Sequence, residues 1–458
     1  MPVTELPGVQ EMIDPGIAAR TVRLAVERGA TGAECTVSEG DEFTALVRMR
    51  SLETLKEAGS RAAGLRVLVG RRSGSSYTSD LSDEGLRCLV ASALEIAAIS
   101  TEDPSAGMPD AAELGALAGD LALYSDDVAR LESAWKIRQA MDSEEAALAS
   151  DTRIVNSEGA SFDSHTGSRV FANSLGFRGA YRTSSCSLSV TPVARENGRL
   201  ERDFWYTVAR TPAALEPAVE VGLHAARRAL RRLGARKVAT AKVPVVFDPE
   251  VARSLLGHVF EAVSGDSVWR HASFLADKLG QQIAPEHVTI VDDGTIPGLF
   301  GTSPFDDEGV PTRRTVVVER GVLKSWLLNS YTARKLGLRT TGNAARGLTG
   351  NAGVGRGNFF LEAGAQPPAE LLRGIRQGLY VTELIGQGVN VVNGDYSRGA
   401  AGLWIENGEL AYPVSEITIA SNLARMLSGI LAVANDLRFR GSTASPTLVI
   451  EEMTVSGK

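Results

Sequence analysis

The alternation of apolar and polar positions divides the chain into three stretches. In the first, Ala18, Val22, Ala25 and Val26 recur at the spacing of one helix face, and the pattern ends near Gly29. Short strand-like runs follow at 33–37, 43–49, 64–69 and 76–78, with 70–74 as the turn between the last two. A second helix is predicted over 83–99, because Ser82 offers a side-chain oxygen to the unpaired amides at its start.

Residues 100–122 hold Pro104 and Pro109 among Ala, Gly and Asp and read as a linker. The second stretch begins with a helix over 127–149. Alternating strands follow at 152–157, 161–173, 177–190 and 205–209, and then a helix over 215–233 that ends at Gly234. Asn197-Gly198 is a two-residue hairpin signal, because both residues tolerate the left-handed backbone such a turn needs. The helix–strands–helix order repeats that of the first stretch and suggests a duplication.

The third stretch opens with a strand over 243–247. Asp248 and Pro249 then start a helix over 250–263. Beyond it the chain is rich in turns and strands. Runs at 315–318 and 322–327 flank Glu319-Arg320-Gly321, and runs at 402–405 and 409–412 flank Glu406-Asn407-Gly408. A helix is expected over 419–432 and a last strand over 447–451. Strands and helices do not alternate as βαβ units, so the fold class is α+β. Helix–strands–helix N-terminal (1–100) and middle (123–238) domains, joined by a linker (101–122), precede a mainly antiparallel, β-rich C-terminal domain (239–458).

Composition changes this picture little, but it excludes some functions. A net charge of −7 leaves no electrostatic footprint for nucleic acid. The basic pairs Arg227-Arg228 and Arg231-Arg232 lie on a helix pattern and are expected to form a solvated face. The three cysteines, Cys35, Cys88 and Cys186, are far apart and odd in number, which fits a reducing compartment. Residues 1–16 carry Glu5, Glu11 and Asp14 and no apolar core of a signal peptide. No apolar run reaches the ~20 residues of a membrane span. The expectation is a soluble, cytoplasmic protein.

The candidate chemistry is sparse. Of the histidines His165, His224, His258, His271 and His287, no pair has the spacing of an HExxH motif. His258 and Glu261 can share a helix face, but a zinc site needs at least three ligands in register. Asp292-Asp293 and Asp306-Asp307-Glu308 are acidic enough for a hard cation, yet neither has EF-hand spacing. The 342–357 stretch holds six glycines with Arg346 and Arg356. It lacks the Gly-Lys-Ser/Thr of a P-loop and reads either as a mobile loop beside a ligand cleft or as a flexible connection. No G-x-S-x-G elbow is present.

From residue 250 onward the sequence resembles the TldD/PmbA family, the modulators of DNA gyrase. The resemblance rests on Ser254-Leu-Leu-Gly-His258, Ser273-Phe-Leu-Ala-Asp-Lys-Leu-Gly280, Ser303-Pro-Phe-Asp-Asp-Glu-Gly-Val310 and Trp326-Leu-Leu-Asn-Ser-Tyr-Thr-Ala-Arg-Lys-Leu-Gly337. Thr382-Glu-Leu-Ile-Gly-Gln-Gly388, Asn393-Gly-Asp-Tyr-Ser-Arg-Gly-Ala-Ala-Gly402 and Tyr412-Pro-Val-Ser-Glu-Ile-Thr418 continue it in the family's order. The first 230 residues match more loosely. TldD-type subunits of this family carry H-E-x-x-x-H, a late cysteine and zinc; PmbA-type subunits, also called TldE, lack them. Here His258 falls at the second motif histidine, while Arg253 and Ser254 stand at the first histidine and the glutamate. No cysteine follows Cys186.

The resemblance therefore implies a non-catalytic TldE/PmbA-type subunit with no metal or other cofactor of its own. Zinc is expected in a TldD-like partner, with which the chain would form a dimer around an internal cavity. Unfolded or extended polypeptides are the implied substrates, and a strand added to a sheet edge is one way to hold them. Asp395, Tyr396, Ser397, Arg398 and Arg346 are the candidate substrate-binding residues, and His258 is a remnant of the metal position. Two alternatives stay open. One is a homodimeric peptide binder working alone, and the other a metallohydrolase built on His258 and Glu261.

Overall fold

The computed structural model describes residues 14–457, so most of the segment considered for a signal peptide lies outside the described residues. Helix α1 (Gly16–Glu27) leads into strands β1 (Gly32–Arg48), β2 (Ser51–Val69) and β3 (Arg72–Thr78), and α2 (Asp83–Ile99) closes the unit. After a mostly irregular segment come α3 (Asp126–Ala129), α4 (Ser133–Ala149), β4 (Ile154–Asn173), β5 (Arg178–Glu196), β6 (Arg199–Arg202), β7 (Trp205–Ala209) and α5 (Ala218–Leu230). All seven strands belong to one antiparallel sheet, ordered β3-β2-β1-β4-β5-β6, with β7 also on β5. The first two stretches are thus continuous: β1 and β4 pair without a register break from Glu34 opposite Asn173 to Val47 opposite Ala160.

Period-two alternation along these long strands gives the sheet two different faces. Ala33, Cys35 and Val37 of β1 and Val170 and Ala172 of β4 pack under α1 and α2. Further along the same face, Val47, Ala160 and Phe162 pack under α4 and α5. The four long helices therefore cover one side. The other side carries polar residues such as Glu34, Thr36 and Arg169 and faces the third stretch. Ser82 caps α2 as its sequence predicts, accepting from the Gly85 amide at 3.1 Å.

Several strands are longer than their apolar pattern. The runs at 33–37 and 43–49 are one strand, and β2 reaches back to Ser51 through residues that are mostly exposed. Cross-strand backbone bonds continue where no helix covers the sheet, and there the side chains carry no apolar signal. The β1–β2 turn holds Met49 and Arg50 at φ 49° and 64°, which is costly for residues other than glycine. The buried Glu144 of α4 offsets the strain by accepting both amides, at 3.0 and 2.7 Å. Asn197 and Gly198 form the expected turn at φ 49° and 79°.

The third stretch comprises β8 (Ala241–Phe247), α6 (Pro249–Val263), α7 (Gly265–Trp269), β9 (Ile290–Asp293), β10 (Arg314–Glu319), β11 (Val322–Leu323), α8 (Ser330–Leu336), β12 (Ala344–Ala345), β13 (Gly353–Val354) and β14 (Asn358–Leu361). It ends with α9 (Pro368–Arg373), β15 (Gln377–Ile385), β16 (Asp395–Glu406), β17 (Glu409–Asn422), α10 (Leu423–Ser428), β18 (Ile430–Val433), β19 (Thr443–Ala444) and β20 (Leu448–Ser456). One sheet has the order β17-β16-β15-β8-β20-β18, and a further β17–β20 pairing closes five of its strands into a ring. A second sheet runs β11-β10-β9-β14-β19. Leu255, Leu256 and Val259 of α6 share the large core that includes Phe247 and Phe359. Asp248 and Pro249 start α6 as expected, with the Asp248 carboxylate accepting from the Glu250 amide at 3.1 Å. The observed class is α+β with mainly antiparallel sheets.

Two local expectations are corrected. The helix expected over 419–432 is the end of β17, the short α10 and then β18. Ile417 and Ile419 alternate into the core, Asn422 caps α10 and the helix ends at Gly429. The arginines of α5 do not form a solvated face, Arg227 excepted. Arg228 is 5% exposed and pairs with Asp203, while Arg232 pairs with Glu201 and Glu383.

Candidate functional site

The Asp-Tyr-Ser-Arg motif opens β16, and strand alternation splits it. Tyr396 and Arg398 point inward, whereas Asp395 and Ser397 are exposed. Tyr396 meets His258 of α6 edge to face, with ring centroids 6.3 Å apart. His258 Nε2, the Tyr396 hydroxyl and Arg398 Nε are all shut off from solvent and make no hydrogen bond. Burial, with the Arg398 charge adding to it, lowers the His258 pKa, so the imidazole is neutral at pH 7. Burial pushes the Tyr396 phenol up to about 12. Asp395 is held by Asn393, which accepts from its amide and donates to its carboxylate.

These residues do not fit zinc. His258 brings a single nitrogen with a guanidinium beside it, whereas zinc takes three or four N, S or O ligands. The Ser254 hydroxyl donates to the Val251 carbonyl of its own helix. Arg253 points away, donating to the Tyr206 hydroxyl at 2.9 Å and pairing with Glu250. Glu261 is exposed. Among the described residues, no group of three or more His, Cys, Asp or Glu is placed to hold a metal ion.

The glycine-rich 342–357 segment lines a cleft, as one of its two readings has it, and is anchored by side-chain contacts. It is a strap docked on the polar face of the first sheet. Arg346 is 7% exposed and pairs with the buried Glu34, which Arg66 also engages at 3.0 Å. Asn351 accepts from Arg66 at 2.9 Å, and the Gly350 amide donates to Ser75 at 2.8 Å. Gly64 on β2 must lack a side chain, because a Cβ there would stand 2.1 Å from the Leu348 carbonyl oxygen. Arg346, a candidate for substrate contact, is thus engaged in an interdomain contact.

The acidic runs are acceptors for backbone amides. Asp306 takes the amides of Glu308, Val310 and Ala344. Glu308 takes that of Ser330, and Asp307 takes that of Arg346 while pairing with Arg169 at 2.8 Å. Asp293 accepts from Thr295. Asp292 differs. Its Oδ2 accepts from Asn343 at 2.7 Å, but Oδ1 is buried without a partner. Burial pushes its carboxyl up to about 7.

Between the sheet's polar face, the 303–307 turn and the strap lies a cleft of about 400 Å³. Arg169 and Tyr181 form one wall, Asn343, Gly355 and Gly357 another, and the exposed Arg313 and Arg356 also line it. Nothing in the local sequence marks Arg169 and Tyr181 as lining residues. Their one signal is their parity on β4 and β5, opposite to that of Val170 and Ala180.

The cleft is polar, none of Arg253, Ser254 and His258 lines it, and the class of protein comes from the sequence comparisons. The chain matches the PmbA/TldA metallopeptidase domain 1 over residues 33–97, the central domain over 126–233 and the C-terminal domain over 240–457. It is 42% identical to the metalloprotease PmbA of Escherichia coli, over 93% of this chain and 92% of that protein. It is 38% identical to a PmbA homologue of Haemophilus influenzae, over 95% and 94%. A solved structure from Bacteroides thetaiotaomicron, named as a modulator of DNA gyrase, superposes with a TM-score of 0.90 at 28% identity, covering 97% of this chain and 98% of that one. TldE from Thermococcus kodakarensis shares the fold, with a TM-score of 0.86 at 20% identity over 96% and 100%. The chain belongs to the PmbA/TldD family of metalloproteases.

Proposed function

We propose that this chain is the zinc-lacking, TldE/PmbA-type subunit of a two-chain metalloprotease, and that it holds extended polypeptide for a zinc-bearing TldD-type partner. The observation that carries this reading is the guanidinium of Arg398 beside His258, with Arg253 turned toward Tyr206. A cation at that place repels a divalent metal and supplies no ligand. The cleft supports the substrate side of the reading. Its exposed arginines, Arg313 and Arg356, suit carbonyl or carboxylate groups. Asp395 and Ser397, on the outward face of β16, are the residues of their motif that a polypeptide can reach. A cytoplasmic site of action belongs to the same proposal. No helix among the described residues is long and apolar enough to cross a membrane, and all three cysteines are free.

The test is co-expression with a TldD-type subunit. Proteolysis of an unfolded protein is expected to survive His258→Ala here and to disappear when the partner's motif glutamate becomes glutamine. Stoichiometric zinc and peptidase activity in this chain alone, both lost on His258→Ala, would overturn the proposal. A homodimer that binds peptide and ignores the TldD-type chain would do the same.

A further inference from the structure

A second cavity, of about 240 Å³, lies where α5, the start of α6 and the 436–445 segment meet. Apart from Arg253, its lining takes no part in the proposed protease role. Five arginines and three carboxylates line it. The carboxylates are already engaged. Asp248 accepts from Tyr380 and from the Glu250 amide. Glu250 accepts from Arg440 and Tyr206 and pairs with Arg253. Asp436 takes both the amide and the hydroxyl of Thr447.

Three of the five arginines have acidic partners of their own. Arg228 pairs with Asp203, Arg253 with Glu250, and Arg440 with Glu216 and Glu250. Arg231 and Arg438 have no ion pair among the described residues. Arg231 is the more unusual of the two, because its Nε and Nη2 are shut off from solvent and find no acceptor. A buried guanidinium without an acceptor costs free energy, and native proteins resolve such groups with a water or an ion. Arg228, close by, adds repulsion that an anion would relieve. Trp205 stiffens the wall, stacked on His224 at 3.7 Å and covered by the Arg440 guanidinium at 4.0 Å.

We propose that this cavity is a binding site for a small oxyanion, with Arg231 and Arg438 as its principal ligands. Phosphate and carboxylate share the required chemistry: planar or tetrahedral oxygens that take paired N–H donors from a guanidinium fork. The volume suits a small molecule rather than a polypeptide segment. Such a ligand would tie the middle stretch, through Arg231, to the third, through Arg438.

The test is calorimetric titration and thermal melting of the full chain with inorganic phosphate and, in a second arm, citrate, each against sodium chloride at matched ionic strength. Saturable stabilisation by either anion is expected, and the arm that responds assigns the source. Arg438→Gln, an exposed position that leaves the fold intact, is expected to weaken binding about fivefold or more. Arg231→Gln is expected to abolish it, and Arg313→Gln in the other cleft to leave it unchanged. If Arg231→Gln does not fold, Arg438→Gln decides. The proposal is wrong if neither anion stabilises beyond the chloride control, if Arg438→Gln binds as tightly as the parent chain, or if Arg313→Gln removes the response.

Discussion

The first sheet meets the C-terminal stretch at two arginine-rich contacts that resolve their charge in opposite ways. Under the strap, Glu34 stands between Arg346 and Arg66. Burial alone would raise its pKa, but the two guanidiniums pull it below the usual glutamate value. Around the second cavity, the half-buried Arg231 has no ion-pair partner, and Asp248 and Asp203 act on it only through space. One contact is clasped on a carboxylate that pairs with both guanidiniums, although Glu34 Oε2 and Arg346 Nε keep no partner of their own. The other has an unmet demand for negative charge. Arginine content therefore does not tell a structural contact from a binding site; the accounting of acceptors does.

The largest effect should come from breaking the closed contact. Glu34→Ala leaves two buried guanidiniums facing each other and is expected to cost about 3–5 kcal/mol in urea unfolding. Replacing Arg346 with Met in the same chain removes one of those charges and should recover part of the loss. A loss under about 1 kcal/mol for Glu34→Ala would mean the clasp carries little of the contact between the sheet and the strap.

Asp292 gives the next largest effect, with the opposite sign against pH. It is a buried carboxyl like Glu34, but burial rather than a cation decides its pKa, which lies at about 7 in the fold against an ordinary 3.8. A raised carboxyl favours the fold while protonated. Its contribution is full below about pH 4 and is lost as pH rises through 7. Glu34, with its lowered pKa, contributes above the ordinary glutamate value and loses that contribution as pH falls. Asp292→Asn should therefore equal the parent near pH 4 and exceed it by a few kcal/mol at pH 8. The check is the difference in unfolding free energy across that range. A flat difference would show that Asp292 ionises freely in the fold.

The contrast also explains what could be read in advance. Ser82, Asp248-Pro249 and Asn197-Gly198 act through backbone groups within a few residues of themselves, so they were legible as caps and a turn. The apolar faces of α1 and β4 were legible for the same local reason. Glu34 and Arg346 are separated by 312 positions in the chain, and nothing local marks either as a partner. Arg228 and Arg232 read as surface residues because their acids lie elsewhere in the fold, Asp203 between β6 and β7 and Glu383 on β15. The Asp-Tyr-Ser-Arg motif was found as a unit, but only the strand's alternation divides it into two inward-facing and two exposed residues. Arg253, Ser254 and His258 do lie on the helix expected over 250–263; that Arg398 stands beside His258 required the fold.

The smallest effect tests the open contact directly. In anion-free buffer Arg231 is a half-buried cation with two idle donors, so Arg231→Met, which keeps an unbranched apolar stem and removes the charge, should leave the chain as stable or about 1 kcal/mol more stable. Glu34→Ala cannot show this neutrality, because it uncovers charge where Arg231→Met removes it. When phosphate or citrate is added, the parent should gain stability through binding to the native state and the variant should not, so their order reverses. Urea unfolding with and without the anion reads that reversal. If Arg231→Met loses several kcal/mol in anion-free buffer, then Arg231 already has a full set of partners within the protein, and the second contact is a clasp like the first.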